Sequence, residues 1–135
     1  MPKVTAMTFT SAGKFLMEMV NAKNKKFVEN LGNDLIEATP VCTGYARASW
    51  YVTPGIPKSV NDVKPIKQTN GKKCLGQIPK KTISLSRYKR NFGQWYIVNL
   101  APYIKPLNDG SSKKAPPGFI DDIVFHHVAA FHNMD

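Results

Sequence analysis

From residue 56 to residue 80 the chain shows neither a helical nor a strand period, and Pro57, Pro65, Gly71, Gly76 and Pro79 interrupt it repeatedly. Proline lacks a backbone donor and glycine costs more entropy to order, so no long helix or central strand fits there. A structureless stretch of this length inside one domain points to a functional loop, or to order gained against a partner. It also divides the 135 residues into two patterned halves. Those halves must share one core, because the chain is too short for two ordinary domains.

The same region carries the charge. Nineteen Lys and Arg against nine Asp and Glu give a net +10. Residues 1–55 hold six bases and four acids, and residues 91–135 hold three and four. Residues 56–90 hold Lys58, Lys64, Lys67, Lys72, Lys73, Lys80, Lys81, Arg87, Lys89 and Arg90 against Asp62 alone, a local +9. Such a field selects a polyanion: nucleic acid, an acidic protein surface or anionic lipid. A solvated loop kept soluble by lysine is the plain alternative. We take these ten cations as a partner-binding arm within a basic insertion at about 56–92 of a single domain, 1–135.

In the first half, Ala12, Leu16, Met19/Val20, Phe27, Leu31, Leu35 and Ala38 recur at three- and four-residue steps. The spacing predicts one long amphipathic helix over 10–38, capped by Thr10 or Ser11 and ended by Pro40. Gly32 weakens that helix by roughly 1 kcal/mol against alanine. A turn is expected at 41–45. Over 46–53, Ala46, Ala48, Trp50 and Val52 alternate with Arg47, Ser49, Tyr51 and Thr53, which predicts a strand with one buried face.

In the second half, 81–88 reads as a short strand and 93–100 as a better one, rich in aromatic and β-branched residues. Residues 101–110 hold a turn or a single helical turn. A helix over 117–131 presents Ile120, Ile123/Val124, His127/Val128 and Phe131 on one side, with Asp121 and Asp122 at its dipole-favoured start. The expected class is α+β: a long N-terminal helix and a C-terminal helix packed on a small, mainly antiparallel sheet, with a long basic loop or arm. Trp50, Leu31, Leu35, Ile123 and Val124 are expected to share the core.

Chemistry finds little purchase. The histidines are His126, His127 and His132, all near one helix end, and no nucleophile–base motif, zinc-ligand spacing or phosphate loop is present. We expect no catalytic residues, no cofactor and no metal. Cys42 and Cys74 form no CxxC pair and read as free thiols. No apolar run approaches the ~20 residues of a membrane span, and the first twenty residues lack a signal peptide's apolar block, so a protein made in the cytoplasm and without a membrane partner is expected. Zinc-finger, RNP-like and helix-turn-helix signatures are missing, although Tyr88, Phe92, Trp95 and Tyr96 near the basic segment permit base stacking.

Two segments carry a resemblance. One is Thr39-Pro40-Val41-Cys42-Thr43-Gly44-Tyr45-Ala46-Arg47-Ala48-Ser49-Trp50. The other is Val98-Asn99-Leu100-Ala101-Pro102-Tyr103-Ile104-Lys105-Pro106-Leu107-Asn108-Asp109-Gly110, followed by Ala115-Pro116-Pro117-Gly118-Phe119. Together, in this order, they resemble the small neck or tail-completion (minor tail) proteins of tailed bacteriophages, the lambdoid-type head–tail joining family. The positions that match are Thr43, Gly44, Arg47, Trp50, Asn99, Tyr103, Gly110, Pro116 and Gly118. Cys42 stands where that family usually has Asp, and Asn108 where it usually has Glu.

The resemblance implies a structural virion protein with no enzymatic activity. It implies copies of the chain in a ring, sixfold in this family, set between portal-adaptor or head-completion proteins and the tail tube or tail terminator. The basic arm would then line a channel for genomic DNA or dock on acidic neighbours. A small basic nucleic-acid-binding protein using residues 56–92 is the alternative.

Overall fold

The computed structural model describes residues 3–9, 14–20, 25–40, 45–63, 81–88, 93–102, 104–110 and 115–133. In chain order the elements are β1 (Lys3–Phe9), β2 (Phe15–Val20), α1 (Lys25–Ala38), α2 (Tyr45–Ala48), β3 (Trp50–Pro54), a 3-10 turn (Val60–Asp62), β4 (Gln94–Asn99), α3 (Ile104–Asn108) and α4 (Phe119–Asn133). The four strands form one antiparallel sheet in the order β1-β2-β4-β3. The class is therefore α+β, as expected.

The long N-terminal helix is not. Phe15, Met17 and Met19 are buried while Leu16, Glu18 and Val20 are half-buried, which is the two-residue alternation of a strand. Residues 15–20 accordingly pair with β1 on one side and β4 on the other, and the helix begins only at Lys25. Leu16, Met19 and Val20 satisfy helical spacing while Phe15, Met17 and Met19 satisfy that of a strand, so pairing with other strands decides between them. β1 has no counterpart among the expected elements, although Val4, Thr5 and Thr8 are good strand formers. The expected caps Thr10 and Ser11 lie outside the described residues.

The strand expected over 46–53 is also shorter. Tyr45–Ala48 makes one helical turn, and β3 starts at Trp50. The hydroxyl of Ser49 donates to the Tyr45 carbonyl at 2.7 Å and its amide to the Ala46 carbonyl at 3.2 Å, closing that turn. Ala46 and Ala48 suit a helix as well as a strand face, which is why alternation misled there.

Helix α1 packs against both β3 and α4, and one hydrophobic cluster joins the two helices to the sheet face that carries Phe15, Met17, Met19, Trp50, Val52, Trp95 and Ile97. Leu31, Leu35, Trp50 and Val124 belong to one hydrophobic cluster, and Ile123 packs against it. Gly32 faces β3: a Cβ placed on it would sit 3.0 Å from Val52 Cγ2 and 3.4 Å from Ile83 Cγ1. The glycine inside α1 therefore serves close approach of helix, strand and the 81–88 segment.

Candidate functional site

Residues 81–88 form no strand. They run extended and then turn at Ser86–Arg87, with Ile83 and Leu85 buried and Thr82, Ser84 and Ser86 exposed. What holds them is α1. The amide side chain of Asn33 pairs with both backbone groups of Ile83: the Ile83 N–H donates to Oδ1 at 2.7 Å, and Nδ2 donates to the Ile83 carbonyl at 3.0 Å. The Leu85 N–H donates to the Glu29 carboxylate at 3.0 Å, and this bond holds the Glu29 pKa below its usual value. Lys25 donates to the Tyr88 carbonyl, and the Tyr88 ring meets Trp95 edge-on at 5.6 Å. Side chains thus supply the partners that a neighbouring strand would have supplied. The basic arm, as drawn at about 56–92, includes a segment that is fastened to the domain.

That fastening builds a small basic cavity of about 90 Å³ at the β3 edge, lined among others by Tyr51, Thr53, Lys58, Lys81, Ser84 and Arg87. The Lys81 ammonium lies 3.3 Å from the centroid of the Tyr51 ring. Burial, with the charges of Lys58 and Arg87 adding to it, pushes its pKa down to about 8. Burial likewise raises the Tyr51 phenol above its ordinary value, with Tyr45 adding to the shift. No Asp or Glu lines the cavity among the described residues. Asp62, the only acid of the basic stretch, accepts instead from the Ser59 amide and hydroxyl, each at 3.0 Å. Three of the ten arm cations, Lys58, Lys81 and Arg87, are therefore brought together. Lys64, Lys67, Lys72, Lys73, Lys80, Lys89 and Arg90 lie outside the described residues, as do Cys42 and Cys74.

The motif positions form a second constellation, and it is structural. Trp50 is fully buried, and its indole N–H donates to the Thr39 hydroxyl at 2.8 Å; that hydroxyl donates in turn to the Leu35 carbonyl at 2.6 Å. Asn99, also fully buried, donates to the Ala46 carbonyl and accepts from the Ala101 N–H, both at 2.9 Å. Asn108 accepts from the Ile120 N–H at 2.9 Å and donates to Asp121 at 3.2 Å, so it caps the start of α4 from a distance in sequence. The Asn108 carbonyl accepts from the Gly118 N–H. Gly110 has φ 101°, and a Cβ on it would lie 2.8 Å from Pro117 Cγ, so both conformation and space require glycine. Pro116 is exposed beside it. Tyr51 projects from the face opposite Trp50, as alternation predicts, whereas Arg47 belongs to α2. The Arg47 Nε is buried with no hydrogen-bond partner among the described residues. Thr43, Gly44 and Tyr103 lie outside those residues.

His126 and His127 do not converge, and nothing described bears on the side chain of His132. His127 contacts Asp34 at 2.6 Å and the Phe27 ring at 6.2 Å between centroids, which joins α4 to α1, while His126 is exposed. No group of three metal-ligating side chains occurs among the described residues, and none of the described helices is long and apolar enough to cross a membrane. Asn33, Glu29, Tyr51, Thr53 and Ser84 escaped sequence reasoning as parts of a site. Asn33, Glu29 and Tyr51 meet partners 50, 56 and 30 positions away, and no local spacing signals that Thr53 and Ser84 line the same cavity. Comparison with protein-family models, with curated proteins and with solved structures returned no match.

Proposed function

We propose that this chain is a structural virion protein of a tailed bacteriophage, a neck or tail-completion subunit that forms a sixfold ring at the head–tail junction. The supporting observation is the interlock between the two motif segments: Asn99 of one holds the Ala46 carbonyl of the other at 2.9 Å. Trp50 and Asn99, both of the motif segments, tie one element to another through their side chains. Its neighbours on this reading are portal-adaptor or head-completion proteins on one side and the tail tube or tail terminator on the other, with genomic DNA in the channel. Ring formation joins two different surfaces of the same protomer, so a closed ring leaves neither exposed. Native mass spectrometry of the purified chain tests this: a discrete closed oligomer, and the chain's presence in purified virions, are expected. A strict monomer at high concentration, absent from virions, would refute it.

A second reading, a free nucleic-acid-binding protein using residues 56–92, draws on the convergence of Lys58, Lys81 and Arg87. Salt-sensitive DNA binding by the monomer would favour it.

A further inference from the structure

We infer that the cavity between β3 and residues 81–88 is a binding site for a single phosphoryl-type oxyanion, held by Lys58, Lys81 and Arg87. The inference depends on neither functional reading, since it concerns one anion and one cavity. Three like charges around one concavity repel one another, and partial burial of Lys81 and Lys58 adds to the cost. The fold nonetheless brings them together with no lining carboxylate among the described residues. Stacking on Tyr51 accounts for Lys81 alone. It does not account for Lys58 arriving from the segment after β3; Arg87 is exposed at the turn that ends the 81–88 segment, where its guanidinium donates to the Tyr88 hydroxyl at 3.0 Å and lies 4.9 Å from that ring's centroid.

Size and donor chemistry narrow the ligand. The cavity holds about 90 Å³. That is space for a small group, and one tetrahedral oxyanion fits it. Lysine and arginine donate and cannot accept, so the site discriminates against cations and favours a multiply charged acceptor. The Ser84 hydroxyl is exposed and, among the described residues, bonds to the Ser86 hydroxyl at 3.3 Å, so it is able to donate as well. The Thr53 hydroxyl is not, because its proton goes to the Ile56 carbonyl at 2.6 Å. The walls are fixed beforehand: Asn33 and Glu29 fasten one side and β3 forms the other. An anion arriving there meets donors already in place, which lowers the entropy cost of binding.

The charged and titratable groups facing Lys81 are Lys58 and Arg87, with the Tyr51 phenol beneath it. With its pKa at about 8, Lys81 is only partly protonated near that pH. Anion binding therefore draws a proton onto it.

The full chain is titrated with inorganic phosphate at constant ionic strength set by sodium chloride, following thermal midpoint and calorimetric heat. A saturable rise in midpoint is expected, with net proton uptake at pH 8 revealed by buffers of different ionisation enthalpy. Lys58→Gln and Arg87→Gln each weaken binding by about tenfold while leaving the midpoint in chloride nearly unchanged. Lys105→Gln, which removes an exposed cation elsewhere, leaves binding unaltered. Lys81→Gln also removes the Tyr51 contact, so the first two variants carry the test. A short single-stranded oligonucleotide that displaces phosphate identifies a nucleic-acid backbone as the source, and one that does not points to free phosphate. No saturable response beyond chloride, or native affinity in both Lys58→Gln and Arg87→Gln, overturns the proposal.

Discussion

At the scale of single residues, Asn108 shows what an amide does that a carboxylate cannot. It is 4% exposed, and it accepts from the Ile120 N–H while donating to Asp121. Asn108→Ala strands a buried amide at the start of α4 and should cost about 1–3 kcal/mol in denaturant unfolding. Asn108→Asp keeps the acceptor but sets a second carboxylate at about the present 3.2 Å separation from Asp121. Its thermal midpoint should recover as the pH falls and one of the two acids is protonated. Lys81 gives the opposite dependence on pH. Its folded pKa of about 8 lies below the ordinary value of 10.5, so the unfolded chain binds more protons between those limits. Stability must then rise from pH 8 towards pH 10, where the raised Tyr51 pKa begins to oppose it. Lys81→Met should flatten the rise in a series of melts across that window.

At the scale of elements, the 81–88 segment depends on α1 for its place. Asn33→Ala removes two hydrogen bonds to Ile83 at once and leaves both backbone groups of a buried residue unpaired. Amide hydrogen exchange at Ile83 and Leu85 should accelerate by at least about tenfold, with β2 and β4 protected as before. Gly32→Leu should do the same by overpacking, at about 1–3 kcal/mol, because Val52 and Ile83 already stand within 3.4 Å of the place its Cβ would take. These contacts also explain what is legible in the sequence. The 93–100 strand, the final helix and the burial of Trp50 follow from local pattern, and the structure has them. The conformation of Phe15–Val20 does not, because its apolar residues fit two periods and the choice is made by β1 and β4. Nor does the basic cavity. Its ten-cation signal is plain in composition, but which three of them meet is fixed by Asn33 and Glu29, whose partners lie 50 and 56 positions away.

At the scale of the whole molecule, Trp50 ties the parts into one unit. It meets Phe15 edge-on at 5.6 Å, donates to Thr39 at the end of α1 and sits in the same cluster as Val124 of α4. Trp50→Ala should therefore cost about 3–5 kcal/mol and lower the single unfolding transition of sheet and helices together. An unchanged midpoint would place Trp50 outside the shared core. The fastening of residues 81–88 has a practical corollary. Ile83 and Leu85 are held by side chains of α1 and not by the residues that precede them in sequence. A cut ahead of Lys81 therefore divides the chain into two pieces that carry what a split protein needs to find its other half: α1 on one, its backbone partners on the other.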